Sequence, residues 1–109
     1  MTNIYINREG SEYQLLVLGH AGYGSSGTDI VCAAISTLVF TFLEIVEKKS
    51  DEKIFFIKKY QESDGMINVI VSGESLEFKG ICETIESGFE MLEREYGEYL
   101  GVSRGEKIF

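Results

Sequence analysis

The chain has 109 residues, of which 44% are hydrophobic and 26% charged, with no Pro, no Trp, two Cys and one His. This is the composition of one globular domain, and it excludes a disordered chain. The net charge of −8 disfavours direct binding to nucleic acid and favours a basic partner, although the same charge also serves solubility alone.

Targeting signals and membrane segments are not predicted. The chain has no uninterrupted run of about 18 apolar residues, and its first residues lack the layout of a signal peptide. We therefore expect a cytoplasmic protein with reduced cysteines and no contact with a membrane. Two Cys and a single His also cannot complete a four-ligand zinc site within one chain.

The first half of the chain predicts two strands and a helix. Residues 2–8 and 13–19 read as strands on either side of a turn, which predicts a hairpin. A glycine-rich segment, 19–27, follows the second strand. From Asp29 to about Lys49, apolar residues recur at helical spacing, which predicts a helix buried on several sides along its first half.

A second hairpin is predicted after this helix. Residues 53–60 and 66–72 have the pattern of strands, and Asp64-Gly65 between them is a favoured turn pair.

A single apolar stripe predicts an amphipathic helix that begins between Ser75 and Phe78. The stripe consists of Phe78, Ile81, Cys82, Ile85, Phe89, Leu92 and Tyr96. Residues 101–109 are predicted to be a loose tail. The element order ββαββα predicts an α+β fold of two layers, with two long helices packed on one face of an antiparallel-rich sheet. Residues 1–109 form one predicted domain.

Cys32 lies where the glycine-rich segment meets the first helix. With Asp29 as the N-cap, Cys32 is the third helical residue, and the helix dipole there favours the thiolate, which is a strong nucleophile. His20 lies twelve positions upstream, and the intervening loop is long enough to bring it back to the start of the helix. Two interpretations are open: a Cys–His dyad, or a small core cysteine with a structural histidine.

Two residues near Cys32 have competing interpretations, and the second cysteine has one. Asp29 is interpreted first as the helix cap and second as a residue that orients His20. Ser36 is one turn beyond Cys32, and its hydroxyl either points to the site or, as the better interpretation, bonds the carbonyl of the preceding turn. Cys82 lies on the apolar stripe and is interpreted as a core residue.

Residues 22–27 (GYGSSG) match the G-x-G-x-x-G pattern of dinucleotide-binding loops. The match is weak, because Asp29 would place a carboxylate near the phosphates. The preceding strand also belongs to a predicted hairpin, whereas the motif needs a βαβ unit.

The segment 19–36 (GHAGYGSSGTDIVCAAIS) resembles the signature of the ribosomal-processing cysteine protease family, also called the Prp or YsxB-like family. The first part of the signature matches Gly19, His20, Ala21, Gly22 and Tyr23. The second part matches Gly27, Asp29, Ile30, Val31, Cys32, Ala33, Ala34, Ile35 and Ser36. The chain departs from the family near its end, where Gly97 stands at a position that is usually Pro.

The resemblance implies a homodimeric bacterial endopeptidase of the cytoplasm, without metal or cofactor. It implies removal of an N-terminal extension from large-subunit ribosomal protein number twenty-seven, with cleavage after a hydrophobic or aromatic residue. It also implies Cys32 as nucleophile and His20 as general base, with Asp29 and Ser36 in support. Amides at the helix start are candidates for stabilising the oxyanion.

The same resemblance predicts that the loop formed by residues 22–28 becomes ordered when substrate binds, and it predicts six residues that bind the substrate. These are Gly19, Ala21, Gly22, Tyr23, Gly24 and Gly27. Two alternatives remain open: a non-enzymatic adaptor of ribosome assembly that binds a basic ribosomal protein, and a nucleotide-binding module that uses the glycines of residues 22–27.

Overall fold

The computed structural model describes residues 1–25, 27–50 and 55–105. Its elements are β1 (Thr2–Glu9), β2 (Glu12–Leu18), α1 (Ile30–Ser50), β3 (Phe55–Ser63), β4 (Met66–Gly73), α2 (Leu76–Tyr96) and β5 (Leu100–Arg104). The predicted α+β class and the order ββαββα are confirmed, with one additional strand at the end. Residues 53 and 54, the predicted start of the third strand, lie outside the described residues.

The five strands form one sheet in the order β3-β4-β2-β1-β5. The β1–β2 and β3–β4 pairs are antiparallel, as the two predicted hairpins require. The sheet also joins β2 to β4 in antiparallel and β1 to β5 in parallel. Because β2 pairs with β4, the turn between β3 and β4 lies beside the end of β2. This neighbourhood is where the candidate site forms.

The C-terminal segment corrects one prediction. Residues 101–109 were expected to be loose, but Leu100–Arg104 is a strand on the edge of the sheet. Leu100 is fully buried, and Arg104 forms ion pairs with Glu86 and Glu90 of α2. The sequence did not predict this strand, because its partner, β1, is at the other end of the sequence. Residues 106–109 lie outside the described residues.

The core lies between one face of the sheet and the two helices. Alternate residues of the strands, including Ile4, Ile6, Leu15 and Val17, join a single hydrophobic cluster with the buried side chains of both helices. Of the predicted stripe on α2, Phe78, Cys82, Ile85 and Phe89 are buried, and Ile81, Leu92 and Tyr96 are partly buried. The helices therefore cover the same face, and the fold has two layers, as predicted.

Helix α1 is more apolar than the lack of an uninterrupted apolar run suggests. No uninterrupted apolar run exists, but α1 is 21 residues long and reaches a mean hydropathy of 2.0 in its most apolar 18-residue window. By length and composition alone, it could therefore cross a bilayer. A core helix meets the same criterion, and α1 buries six side chains in the core: Val31, Ile35, Val39, Phe42, Leu43 and Val46.

Candidate active site

The Cys32 thiol lies in the first turn of α1, as predicted. Helix α1 begins at Ile30, and Asp29 Oδ1 accepts hydrogen bonds from the amides of Val31 (3.0 Å) and Cys32 (2.9 Å). These bonds satisfy two amides that have no partner within the helix. The amide of Ala21 donates to Cys32 Sγ across 3.3 Å. Cys32 is partly exposed, and its sulfur faces the backbone amide of Ala21.

His20 follows the end of β2 and lies on the wall of the cleft that contains Cys32. The two residues line the same two adjoining depressions in the surface. The His20 side chain is 66% exposed, and its Nε2 is 3.4 Å from Asp64 Oδ1. No hydrogen bond joins His20 to Cys32 in the described part of the chain, although the imidazole and the thiol share a cleft.

Asp29 is the helix cap that the sequence predicted, and it also holds the loop. Its Oδ2 accepts hydrogen bonds from the amides of Tyr23 (2.9 Å) and Gly24 (3.2 Å). The hydrogen bonds to Asp29 hold the pKa of its carboxyl below the usual value, and the bond from the Cys32 amide has the largest effect. Both carboxylate oxygens are therefore engaged with backbone amides. Among the described residues, the acid that faces His20 is Asp64 rather than Asp29.

Sequence reasoning identified the Asp64-Gly65 pair only as a turn and missed its contact with His20. The available signal was the strand register. In the β2–β4 pair, Leu18 is opposite Met66, and the Gly19 amide donates to the Gly65 carbonyl across 2.8 Å. One step further along this ladder, His20 comes opposite Asp64.

The glycines of the loop differ in what they do. Gly19 has φ +93°, and a Cβ at this position would lie 2.6 Å from the Met1 carbonyl oxygen, so only glycine fits there. Gly22, Gly24 and Gly27 line the cleft beside Cys32. Ser26, between them, lies outside the described residues.

The nucleotide-binding interpretation of these glycines finds no support in the geometry. The amides of Tyr23 and Gly24 donate to the Asp29 carboxylate, whereas a phosphate would need free amides and no nearby negative charge. In addition, β4 lies between β2 and β3 in the sheet, so α1 does not connect two neighbouring parallel strands, as the helix of the motif's βαβ unit does.

The remaining predicted residues divide between the cleft and its supports. Ser36 lines the cleft, and within the described residues its hydroxyl makes no bond to the preceding turn, contrary to the favoured interpretation. The Ala21 side chain is buried. The ring of Tyr23 packs edge-to-face on Tyr96 and Tyr99, with centroids 5.6 and 5.0 Å apart, so it anchors the loop to the end of α2.

The wall of the cleft away from the loop is largely apolar. It is lined by Val17, Ile35, Phe40, Met66 and Ile67. This wall offers a surface on which an extended peptide can place an apolar side chain.

Cys82 lies in the core, as predicted, where it is 3% exposed. Burial raises the pKa of its thiol to about 12, and the guanidinium of Arg8, 3.7 Å from Sγ, offsets this only in part. Within residues 1–25, 27–50 and 55–105, no cluster of three His, Cys, Asp or Glu residues could hold a metal ion.

A thiol in the first turn of a helix and an imidazole on the same open cleft are the two side chains that a cysteine-type peptidase requires. The family model described as cysteine protease Prp matches residues 1–101. The chain therefore belongs to the cysteine protease Prp family, which confirms the resemblance drawn from the sequence, and it is a cysteine protease.

Individual relatives agree with this assignment. The ribosomal processing cysteine protease Prp of Staphylococcus aureus (strain Mu50) is 28% identical over 97 residues, which cover 88% of this chain and 90% of the relative. The crystal structure of an S. aureus Prp with a covalently linked product peptide has a TM-score of 0.81 at 22% identity, covering 96% and 100% of the two chains. SMU.848 from Streptococcus mutans has a TM-score of 0.69 at 23% identity, covering 95% and 93%. At these identities, the two structures show a shared fold.

Proposed function

We propose that this protein is an endopeptidase that removes the N-terminal extension of large-subunit ribosomal protein number twenty-seven, with Cys32 as nucleophile and His20 as general base. The observation that carries the proposal is that Cys32 and His20 line one open cleft in a member of a cysteine protease family. The S. aureus relative is described as a ribosomal processing protease, which supports a ribosomal protein as the substrate.

In the proposed reaction, the Cys32 thiol gives its proton to the His20 imidazole, and the sulfur attacks the scissile carbonyl carbon. The new C–S bond moves an electron pair onto the carbonyl oxygen, which becomes an oxyanion. When this intermediate collapses, the C–N bond breaks, and the imidazolium protonates the leaving amine. The processed protein leaves with its new amino terminus, and the extension remains bound to Cys32 as a thioester.

The oxyanion needs a donor other than the helix start. The amides of Val31 and Cys32, which the sequence suggested for this role, donate to Asp29. The amide of Ala21 is the better candidate, because it lies 3.3 Å from Cys32 Sγ. In the intermediate, this sulfur is bonded to the carbon that carries the oxyanion. During the reaction, the Ala21 amide would stop donating its hydrogen bond to the sulfur and donate it to the oxyanion instead.

Hydrolysis of the thioester completes the cycle. His20 takes a proton from a water molecule, the water oxygen attacks the thioester carbon, and the C–S bond breaks to release the carboxylic acid and restore the thiol. The apolar wall that includes Ile35, Phe40 and Met66 supports a preference for a hydrophobic or aromatic residue before the scissile bond.

The partners follow from charge and exposed apolar surface. A net charge of −8 favours capture of a basic ribosomal protein by electrostatic attraction. We also propose that the protein is a homodimer in the cytoplasm. The exposed apolar side chain of Ile30 on α1, at 54%, supports a second copy on this helix, and light scattering of the purified protein tests the mass.

Cleavage of a synthetic peptide that carries the extension and the following residues tests the activity. We expect Cys32→Ala and His20→Ala to abolish cleavage, since the chain has no other histidine and the other thiol is buried. Cys82→Ala is the matched control and should cleave at the wild-type rate. Cleavage by Cys32→Ala would contradict the proposal, and so would tight binding without cleavage by the wild-type protein, which the adaptor alternative predicts.

A further inference from the structure

The contact between His20 and the β3–β4 turn is not explained by the two-residue mechanism. Asp64 Oδ1 lies 3.4 Å from His20 Nε2, and the Asp64 side chain is 97% exposed. An exposed acid of this kind contributes little to folding. Its position against one nitrogen of the single imidazole therefore calls for a functional interpretation.

The backbone holds this turn against His20. The Gly19 amide donates to the Gly65 carbonyl across 2.8 Å, which continues the β2–β4 ladder past the end of β2. Gly65 has φ +71°, and a Cβ at this position would lie 3.3 Å from His20 Nε2. A glycine therefore lets the turn approach the imidazole closely, and the residue before it presents a carboxylate to Nε2.

We propose that Asp64 is a positioning residue that selects the reactive tautomer of His20. Its carboxylate, 3.4 Å from Nε2, favours the tautomer that carries the proton on Nε2, and the Nδ1 lone pair is then free to take the proton of Cys32. This inference rests on the proposed role of His20 as general base. Asp29 does not serve the same purpose, because its two oxygens accept hydrogen bonds from backbone amides.

The magnitude follows from exposure. Charge contacts between exposed groups are weak and are screened by salt, so Asp64 refines the orientation of His20 rather than creating it. We expect Asp64→Asn to lower kcat by about two- to fivefold with KM unchanged. An Asn side chain accepts or donates a hydrogen bond, and therefore no longer selects one tautomer.

The tautomer can be measured without activity, because the chain has one His and so gives one pair of imidazole 15N signals. We expect the wild-type spectrum of the neutral imidazole to show Nε2 protonated, and Asp64→Asn to move both signals towards those of free imidazole. Asp64→Glu, which keeps the carboxylate, should restore the wild-type spectrum and kcat. Glu74→Gln is the matched control, since it removes one negative charge beyond the opposite end of β4.

Two results would overturn the inference, and they are distinguishable. Identical 15N signals and kcat in Asp64→Asn and Glu74→Gln would show that Asp64 does not act on the imidazole, whether or not His20 is the base. Full cleavage activity in His20→Ala would remove the proposed function itself, and with it any use of Asp64 in the reaction.

Discussion

Replacing Cys32 by Ala leaves Cys82 as the only thiol in the chain, and the position of that thiol predicts how slowly the variant reacts with alkylating reagents. Cys82 is 3% exposed, and burial raises the pKa of its thiol to about 12. At pH 8, such a thiol is about one ten-thousandth thiolate, whereas an unperturbed cysteine of pKa about 8.5 is about one quarter thiolate.

The thiolate is the species that reacts with alkylating reagents. Ionisation alone therefore slows the alkylation of folded Cys32→Ala by about 10³-fold relative to a cysteine-containing peptide. The core packing of Cys82 adds to this factor, because the reagent must also reach the sulfur. The wild-type protein, in contrast, should take up one label rapidly, on the partly exposed Cys32.

Intact-mass spectrometry of samples quenched over time gives both rates, and peptide mapping identifies the labelled residue. The same variant in denaturant is the control, since unfolding exposes Cys82 and should restore the rate of an ordinary cysteine. If folded Cys32→Ala were labelled within about tenfold of its denatured rate, Cys82 would not be a core residue, and the choice between the two thiols would lose its physical basis.

Three further predictions test the packing and the loop. Phe78→Ala removes a fully buried ring that packs 4.9 Å from that of Phe55 and should cost about 3–5 kcal/mol of unfolding free energy in urea titrations; a loss below about 1 kcal/mol would contradict the packing. The pKa of Asp29 is lower in the folded protein than in the unfolded chain. The ionised carboxylate therefore stabilises the fold above the pKa of the unfolded chain, and this stabilisation is lost as the pH falls through the pKa of the folded protein. Thermal melts of Asp29→Asn should accordingly show a shallower acid decline than the wild type, and parallel curves would refute this. Gly19→Ala should destabilise the protein more than Gly10→Ala in thermal melts, because both have positive φ but only Gly19 would also place a Cβ against backbone.

Local patterns were sufficient to predict most of the fold. The hairpins and both long helices follow from periodicity and turn residues within short windows, and the start of α1 follows from its cap, Asp29, which accepts from the Cys32 amide. Strand β5 was missed because it is five residues long and is stabilised by distant groups. Its parallel partner is β1, and Arg104 pairs with α2, so no local signal distinguishes it from a loose tail.

The candidate site divides in the same way. The position of Cys32 in the first turn of α1 follows from a cap three residues earlier, and its proximity to His20 follows from a loop of limited length. The contact between His20 and Asp64 depends on the register between β2 and β4, which are separated in sequence by all of α1 and β3. A sequence window that contains His20 does not include this information.

The two aspartates near the site therefore differ in what their loss should change. Asp29 holds four backbone amides, so its removal loosens the loop and the helix start together and lowers stability along with activity. Asp64 contacts the imidazole from an exposed turn, so its removal leaves the fold intact and changes only the state of His20. In the proposed mechanism, one carboxylate builds the cleft and another orients the imidazole that serves as the base. Variants of Asp29 should therefore change the stability of the protein, whereas variants of Asp64 should change the tautomer of His20.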